Sequence, residues 1–303
     1  MFAVIEQYQK KLSKINGFAT STIETYCLCI RSFCDYAKIQ LEIDPVTAKG
    51  KQLLKWIEYL KNTGIGFSHL EIHHYALKSF FAFALDAGLV HTNPAEPLPF
   101  LMKRQRERTH AISSNQAFSL LESFDRNTWH GLKNYTMVSI LWALGLRTSE
   151  LTALRVKDFE TGHGNRIGLL RVRGKNKKQR ALFVVDRLFD QLITYLAHPK
   201  APKKKLSPLF VAETKETAVS NNRVQRLVKD QARLAGIETP VTPRVLRHSF
   251  ATEMYHQNVP LEDISAMMGH DKPADTAIYV HVSEKLKQLA LDHIHIAGEF
   301  LWL

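Results

Sequence analysis

Residues 242–252 read Thr242-Pro243-Arg244-Val245-Leu246-Arg247-His248-Ser249-Phe250-Ala251-Thr252. Thr242-Pro243 is a helix start, since proline is favoured in a first turn. The helix is expected to run to about Gln257, with Asn258 as its stop. Arg244, Arg247 and His248 stand at i, i+3 and i+4 and so share one face. Guanidinium groups offer paired, planar donors that suit a phosphate. Upstream, Ala143-Leu144-Gly145-Leu146-Arg147-Thr148-Ser149-Glu150-Leu151 sets an arginine between an apolar helix and a new helix start. Between these stretches, residues 165–173 and 179–185 alternate as strands around a turn holding Lys175, Lys177 and Lys178, a β-hairpin. Downstream, Met268-Gly269-His270 precedes Thr276-Ala277-Ile278-Tyr279-Val280-His281. Taken singly, each residue has an ordinary reading. Arg147 would be a surface ion-pair former, Lys175 a turn lysine, His248 a structural hydrogen-bonder and Tyr279 a core or interface side chain. Glu150, three residues after Arg147, fits a buttress for an arginine rather than a base. Only the ordered set raises Arg147, Lys175, Arg247, His270 and Tyr279 above those readings.

Further helices are expected near 114–124, 131–144, 148–155, 187–197, 261–268, 275–281 and 283–296, and Ser220 caps another that ends at Gly236. Residues 1–95 read as helices throughout. Ser21-x-x-Glu24 and Ser68-x-x-Glu71 have the capping-box pattern. Ile23, Tyr26, Cys27, Ile30, Phe33, Cys34 and Ala37 form an apolar stripe at helical spacing. A third helix is expected near 47–62, and a fourth, with Leu77, Phe80, Phe81 and Leu85 on its apolar face, ends at Gly88. Asn93-Pro94 and the prolines at 97 and 99 break the pattern, and a basic polar run follows at 102–109. The expected organisation is a helical domain over 1–95, a linker over 96–112 and a second domain over 113–303. The fold class is mostly α, with a small β-sheet in the second domain.

The 303 residues hold 41 Lys+Arg against 29 Asp+Glu, a net charge of +12. Residues 1–95 carry only +2 of this and the remainder +10. So basic a second domain favours a polyanion, most often nucleic acid. No run of ~18 apolar residues exists to span a membrane. The first residues lack an apolar signal stretch, and three cysteines within Cys27–Cys34 make no disulfide framework, which fits a cytoplasmic protein. Cys27, Cys29 and Cys34 lack a second ligand pair at zinc-finger spacing. His69, His73 and His74 do not make a His-Glu-x-x-His motif, so no metal site and no cofactor are expected. No Walker A loop occurs, against an ATP-driven helicase, and no Asp/Glu cluster suggests a metal-dependent transposase or nuclease.

In order and spacing these segments resemble the tyrosine recombinases, the phage-integrase or Xer-like family. That pattern is an arginine in G-L-R-x-x-E-L, a lysine on a hairpin turn, H-x-L-R-H-x-F-A-T, then L-G-H and a tyrosine about nine residues on. Gly145 to Leu151, Gly174-Lys175, Leu246 to Thr252, Gly269-His270 and Tyr279 match it, over about 130 residues. The helical first domain resembles the family's core-binding, clamp-like domain. One position departs: the family usually has His, less often Lys, three residues before the second arginine, where this chain has Arg244.

The resemblance implies catalytic roles for Arg147, Lys175, Arg244, Arg247, His270 and Tyr279. Tyr279 would attack a DNA phosphodiester and form a 3′-phosphotyrosyl link, and strands would exchange through a Holliday junction. It implies double-stranded DNA with paired inverted core sites, a tetramer on two sites and accessory DNA-binding factors, with the protein on the nucleoid. The apolar end, Phe300 to Leu303, would dock on a neighbouring protomer; packing on its own domain is the alternative. Arg173, Lys177, Lys178 and Arg180 on the hairpin, with Lys103, Arg104 and Arg106 in the linker, are candidate DNA contacts. A guanidinium hardly deprotonates, so Arg244 serves as an electrophilic ligand and not as an acid or base. Two rivals remain: a catalytically impaired DNA-binding relative, favoured by Arg244, and a topoisomerase of the same chemistry.

Overall fold

The computed structural model describes residues 1–15, 18–99, 110–162, 166–174, 179–213 and 217–269. The chain divides into two units, Met1–Glu107 and Arg108–Leu303. His270, Tyr279, Lys175, Lys177, Lys178, Lys103, Arg104, Arg106, the helices expected near 275–281 and 283–296, and the 300–303 end lie outside the described residues.

The first unit is built from α1 (Phe2–Lys14), α2 (Thr20–Gln40), α3 (Gly50–Asn62) and α4 (Phe67–Asp86). Of the α2 stripe, Ile23, Cys27, Ile30, Phe33, Cys34 and Ala37 face the core, joined by Cys29, while Tyr26 is only partly buried against it. Burial pushes the Cys29 thiol up to about 11, so it is a protonated, apolar filler. The two capping boxes do not form. Both helices begin upstream of the serines, with Ala19 and Gly66 at the cap positions and no side-chain cap bond. Leu85 is 40% exposed rather than part of the core. His73 packs edge-on against Trp56 and His74 is buried. Burial lowers the pKa of both, which favours their neutral forms. Leu98, within the stretch read as linker, is buried in this unit's core, and Ile112 in the core of the second.

The second unit runs α5 (Ser114–Glu122), α6 (Trp129–Leu144), α7 (Thr148–Ala153), β1 (Phe159–Thr161), β2 (Ile167–Arg173), β3 (Gln179–Val185), α8 (Asp186–Ala197), α9 (Asn221–Leu234), α10 (Pro243–His256) and α11 (Leu261–Met268). The sheet is antiparallel in the order β1-β2-β3, and Leu170 pairs with Leu182 across the hairpin. β1 is an addition to the expected hairpin; three residues are too few to show an alternating pattern. α6 is buried nearly all round and packs against α5, α7, α8 and α10. Ser220 and Thr242 cap α9 and α10 as their positions suggest, accepting from the Arg223 and Val245 amides. α11 packs on α10 through Phe250, Met254, Ile264 and Met268. No helix among the described residues is long and apolar enough to cross a membrane.

Candidate active site

Two helix ends meet at the site. α6 stops at Gly145 (φ +58°) and α11 at Gly269 (φ +64°), both left-handed, a conformation glycine adopts without penalty. At Gly145 a Cβ would also lie 2.4 Å from the Phe250 ring. The last carbonyls of a helix lack intrahelical donors and carry the negative end of its dipole. Here arginines satisfy them. Arg247, on the buried side of α10, donates from Nη1 to the Gly145 carbonyl at 2.6 Å and from Nη2 to the Met268 carbonyl at 2.7 Å. Arg147, at the start of α7, donates from Nη2 to the Gly269 carbonyl at 3.0 Å. Both arginines of the sequence pattern, 100 positions apart in the chain, thus converge on one pair of turns.

Glu150 lies beneath them, 3% exposed. It accepts from the Arg147 amide at 2.8 Å and from Arg147 Nη1 at 2.9 Å. It accepts both Nη groups of Arg180, at 2.9 and 2.8 Å, while Arg247 Nη1 stands 3.8 Å away. Burial by itself would raise this carboxyl. The Arg180 hydrogen bonds and charge, then the Arg147 donors, outweigh it and hold the group below its ordinary value. Glu150 is therefore an ionised buttress. Arg247 is shifted the other way: burial, then the nearby Arg147 charge, lower it to about 10 against the opposing pull of Glu150. It stays charged at neutral pH.

Arg147, Arg244, Arg247, His248, Ser265 and Met268 line a pocket of about 460 Å³. Arg244 is exposed there and makes no hydrogen bond or ion pair among the described residues. Two inward arginines, each tied on its far side, and one exposed arginine give a cationic hollow with donors to spare, the requirement for holding a phosphate.

The hairpin arginines sit differently from one another. Arg173 is exposed, with Nη2 on both Asp158 oxygens at 2.8 and 3.0 Å. Arg180, expected as a surface phosphate contact, is only 8% exposed and paired with Glu150. Strand alternation explains the difference: on β3 Arg180 shares the inward side with Leu182 and Val184, so its charge needs a buried partner. The carbonyls at 267–269 escaped sequence reading, since main-chain groups carry no residue signature. Their only trace was Gly269 after an apolar helix. Among the described residues no cluster of three or more His, Cys, Asp or Glu could hold a metal.

The profile of the phage integrase family matches residues 110–285, more than half of the chain. The chain belongs to that family, the tyrosine recombinases, and is a DNA breaking-and-rejoining enzyme. It is 28% identical over 285 residues to the tyrosine recombinase XerC of Thermodesulfovibrio yellowstonii, covering 91% of this chain and 89% of that one. It is 26% identical over 299 residues to the XerD of Staphylococcus saprophyticus, covering 97% and 99%. In fold it is similar to a lambda integrase dimer bound to a core site (TM-score 0.67, 15% identity, 92% of this chain and 76% of that one). It is also similar to the XerH recombinase bound to its difH substrate (TM-score 0.62, 21% identity, 94% and 84%).

Proposed function

We propose that this protein is a site-specific recombinase that cuts DNA through Tyr279, with Arg147, Arg247 and Arg244 around the scissile phosphate. The observation that carries the reading is the convergence of Arg147 and Arg247 on one hollow that Arg244 also lines. The Tyr279 oxygen attacks phosphorus, the bond to the 5′ oxygen breaks, and a 3′-phosphotyrosyl link forms. A phenol with an ordinary pKa near ~10 is a weak nucleophile, and the cationic surroundings favour its phenolate. Lys175 gives the leaving 5′ oxygen its proton. His270, directly after the turn that Arg147 and Arg247 grip, donates a hydrogen bond to a non-bridging oxygen. The arginines supply the cationic charge that a metal pair would provide elsewhere, so the cut needs neither metal nor ATP. The 5′-hydroxyl of a second strand then attacks the link, and the energy of the original bond is kept.

The same reading takes double-stranded DNA with paired inverted core sites as substrate, two sites joined by four protomers, and Holliday-junction exchange. Its setting is integration, excision or resolution of a mobile element or replicon, on the nucleoid of a cytoplasm. Arg173, Lys177 and Lys178, with Lys103, Arg104 and Arg106, neutralise flanking phosphates, and residues 1–95 clamp the DNA. Relatives bearing recombinase names over nearly their whole length support this. The test uses nicked suicide duplexes drawn from the DNA flanking the protein's own gene, with EDTA present. A protein–DNA adduct whose modified peptide maps to Tyr279, and which Tyr279→Phe does not form, is the expected result. Binding without an adduct in the wild type, with an adduct from Arg244→His, would instead make the natural protein a DNA-binding relative.

A further inference from the structure

We infer that Arg180 is the positioning residue of this site: it fixes the Met267–Gly269 turn and Glu150 together, and through them aims Arg147 and Arg247. The inference rests on the proposed phosphate-binding role of those two arginines. Arg180 fills all three donor directions of its guanidinium with two different elements. Nη1 and Nη2 hold the Glu150 carboxylate in a bidentate pair, and Nε donates to the Met267 carbonyl at 2.7 Å. The next two carbonyls of the same turn, of Met268 and Gly269, receive Arg247 and Arg147. Glu150 in turn grips Arg147 by its amide and its side chain. Each inward arginine of the hollow therefore has a neighbour that Arg180 holds. Gly269 leaves the space for this: a Cβ there would stand 2.7 Å from Arg180 Nη1. Arg180 also sits on β3, so one side chain fastens the β2–β3 pair to the arginine cluster. Buried as it is, it touches no DNA.

Arg180→Lys separates this role from its rivals. Lysine keeps the charge but is a point donor without the bidentate fork. Displaced catalytic groups cost about 10²-fold in rate per ångström. We expect single-turnover cleavage at saturating DNA to fall by at least about tenfold on that scale. Affinity for the same duplex and its salt dependence should match the wild type. A surface phosphate contact would show the reverse, weaker binding with a shallower salt slope and unchanged cleavage once saturated, and would overturn the inference. Equal cleavage in both proteins would overturn it too. A readout independent of DNA is the guanidinium ¹⁵N spectrum. Arg147 and Arg247 should give slowly exchanging Nη signals in the wild type and lose them in Arg180→Lys; unchanged signals contradict the role. Should Arg180→Lys fail to fold, the wild type decides alone: the Arg180 Nε and Nη signals should exchange at least as slowly as those of Arg147 and Arg247, and a fast-exchanging Arg180 contradicts the role. A wild type that forms no adduct counts against the proposed function alone, and the spectra still decide the inference.

Discussion

At the scale of single residues, the site is a problem in burying like charges. Arg147, Arg180 and Arg247 crowd around one carboxylate, and main-chain carbonyls complete what Glu150 cannot neutralise. Removing one member of a buried charge set leaves the others unpaired, at a cost of about 3–5 kcal/mol. Glu150→Gln is therefore expected to lower unfolding stability by an amount in that range, read by urea denaturation. The pH dependence has a definite sign. The folded state holds the Glu150 carboxyl below its unfolded value of about 4.3, so the stability it contributes is fully present above that pH. That stability is lost as pH falls through the lower, folded pKa, and Glu150→Gln should flatten this acid limb. Gly145→Ala is a second residue-scale prediction. It places a Cβ against Phe250 at φ +58° and disturbs the carbonyl that receives Arg247. Strain of this kind costs about 1–3 kcal/mol, which a thermal melt would register.

At the scale of elements, α10 organises the second unit. One face packs on α6, another meets α11, and a buried position ties down the incoming chain. Ser249 accepts the Ile112 amide at 2.8 Å and donates to the Val245 carbonyl. Ser249→Ala strands a buried N–H, which costs about 1–3 kcal/mol, and hydrogen exchange at Ile112 should rise accordingly. α10 was legible in the sequence almost to the residue, because threonine, proline and the arginine spacing all mark its start and faces. The hairpin was legible from alternation and its turn. The caps of α2 and α4 were misread, since Ser-x-x-Glu also occurs inside a first turn. Arg180 was misassigned because basic composition near a turn suggests a surface, while strand parity, which places it inside, depends on the register. The carbonyl ligands of Arg147 and Arg247 were not legible at all, being backbone groups placed by tertiary packing.

At the scale of the whole molecule, the charge is a property of residues 96–303, where the family match also lies. DNA affinity should fall steeply with salt, because each neutralised phosphate releases counterions. Lys177→Gln and Lys178→Gln should each make the log–log slope shallower by about 1, by filter binding across a salt series. Arg180→Lys should leave that slope alone. The two units have separate cores, so residues 1–107 and 108–303 made apart should each unfold cooperatively in calorimetry.

The central claim is that arginines at one hollow stabilise charge on the scissile phosphate. It is tested most directly by cleavage of a duplex whose scissile phosphate is a neutral methylphosphonate. Arg147→Ala and Arg247→Ala should each lose about 10²-fold or more in single-turnover adduct formation on the ordinary phosphodiester. On the methylphosphonate, whose transition state carries one negative charge fewer, most of that loss should disappear. An equal loss on both substrates would contradict the account, because the arginines would then be supporting the fold and not the phosphate.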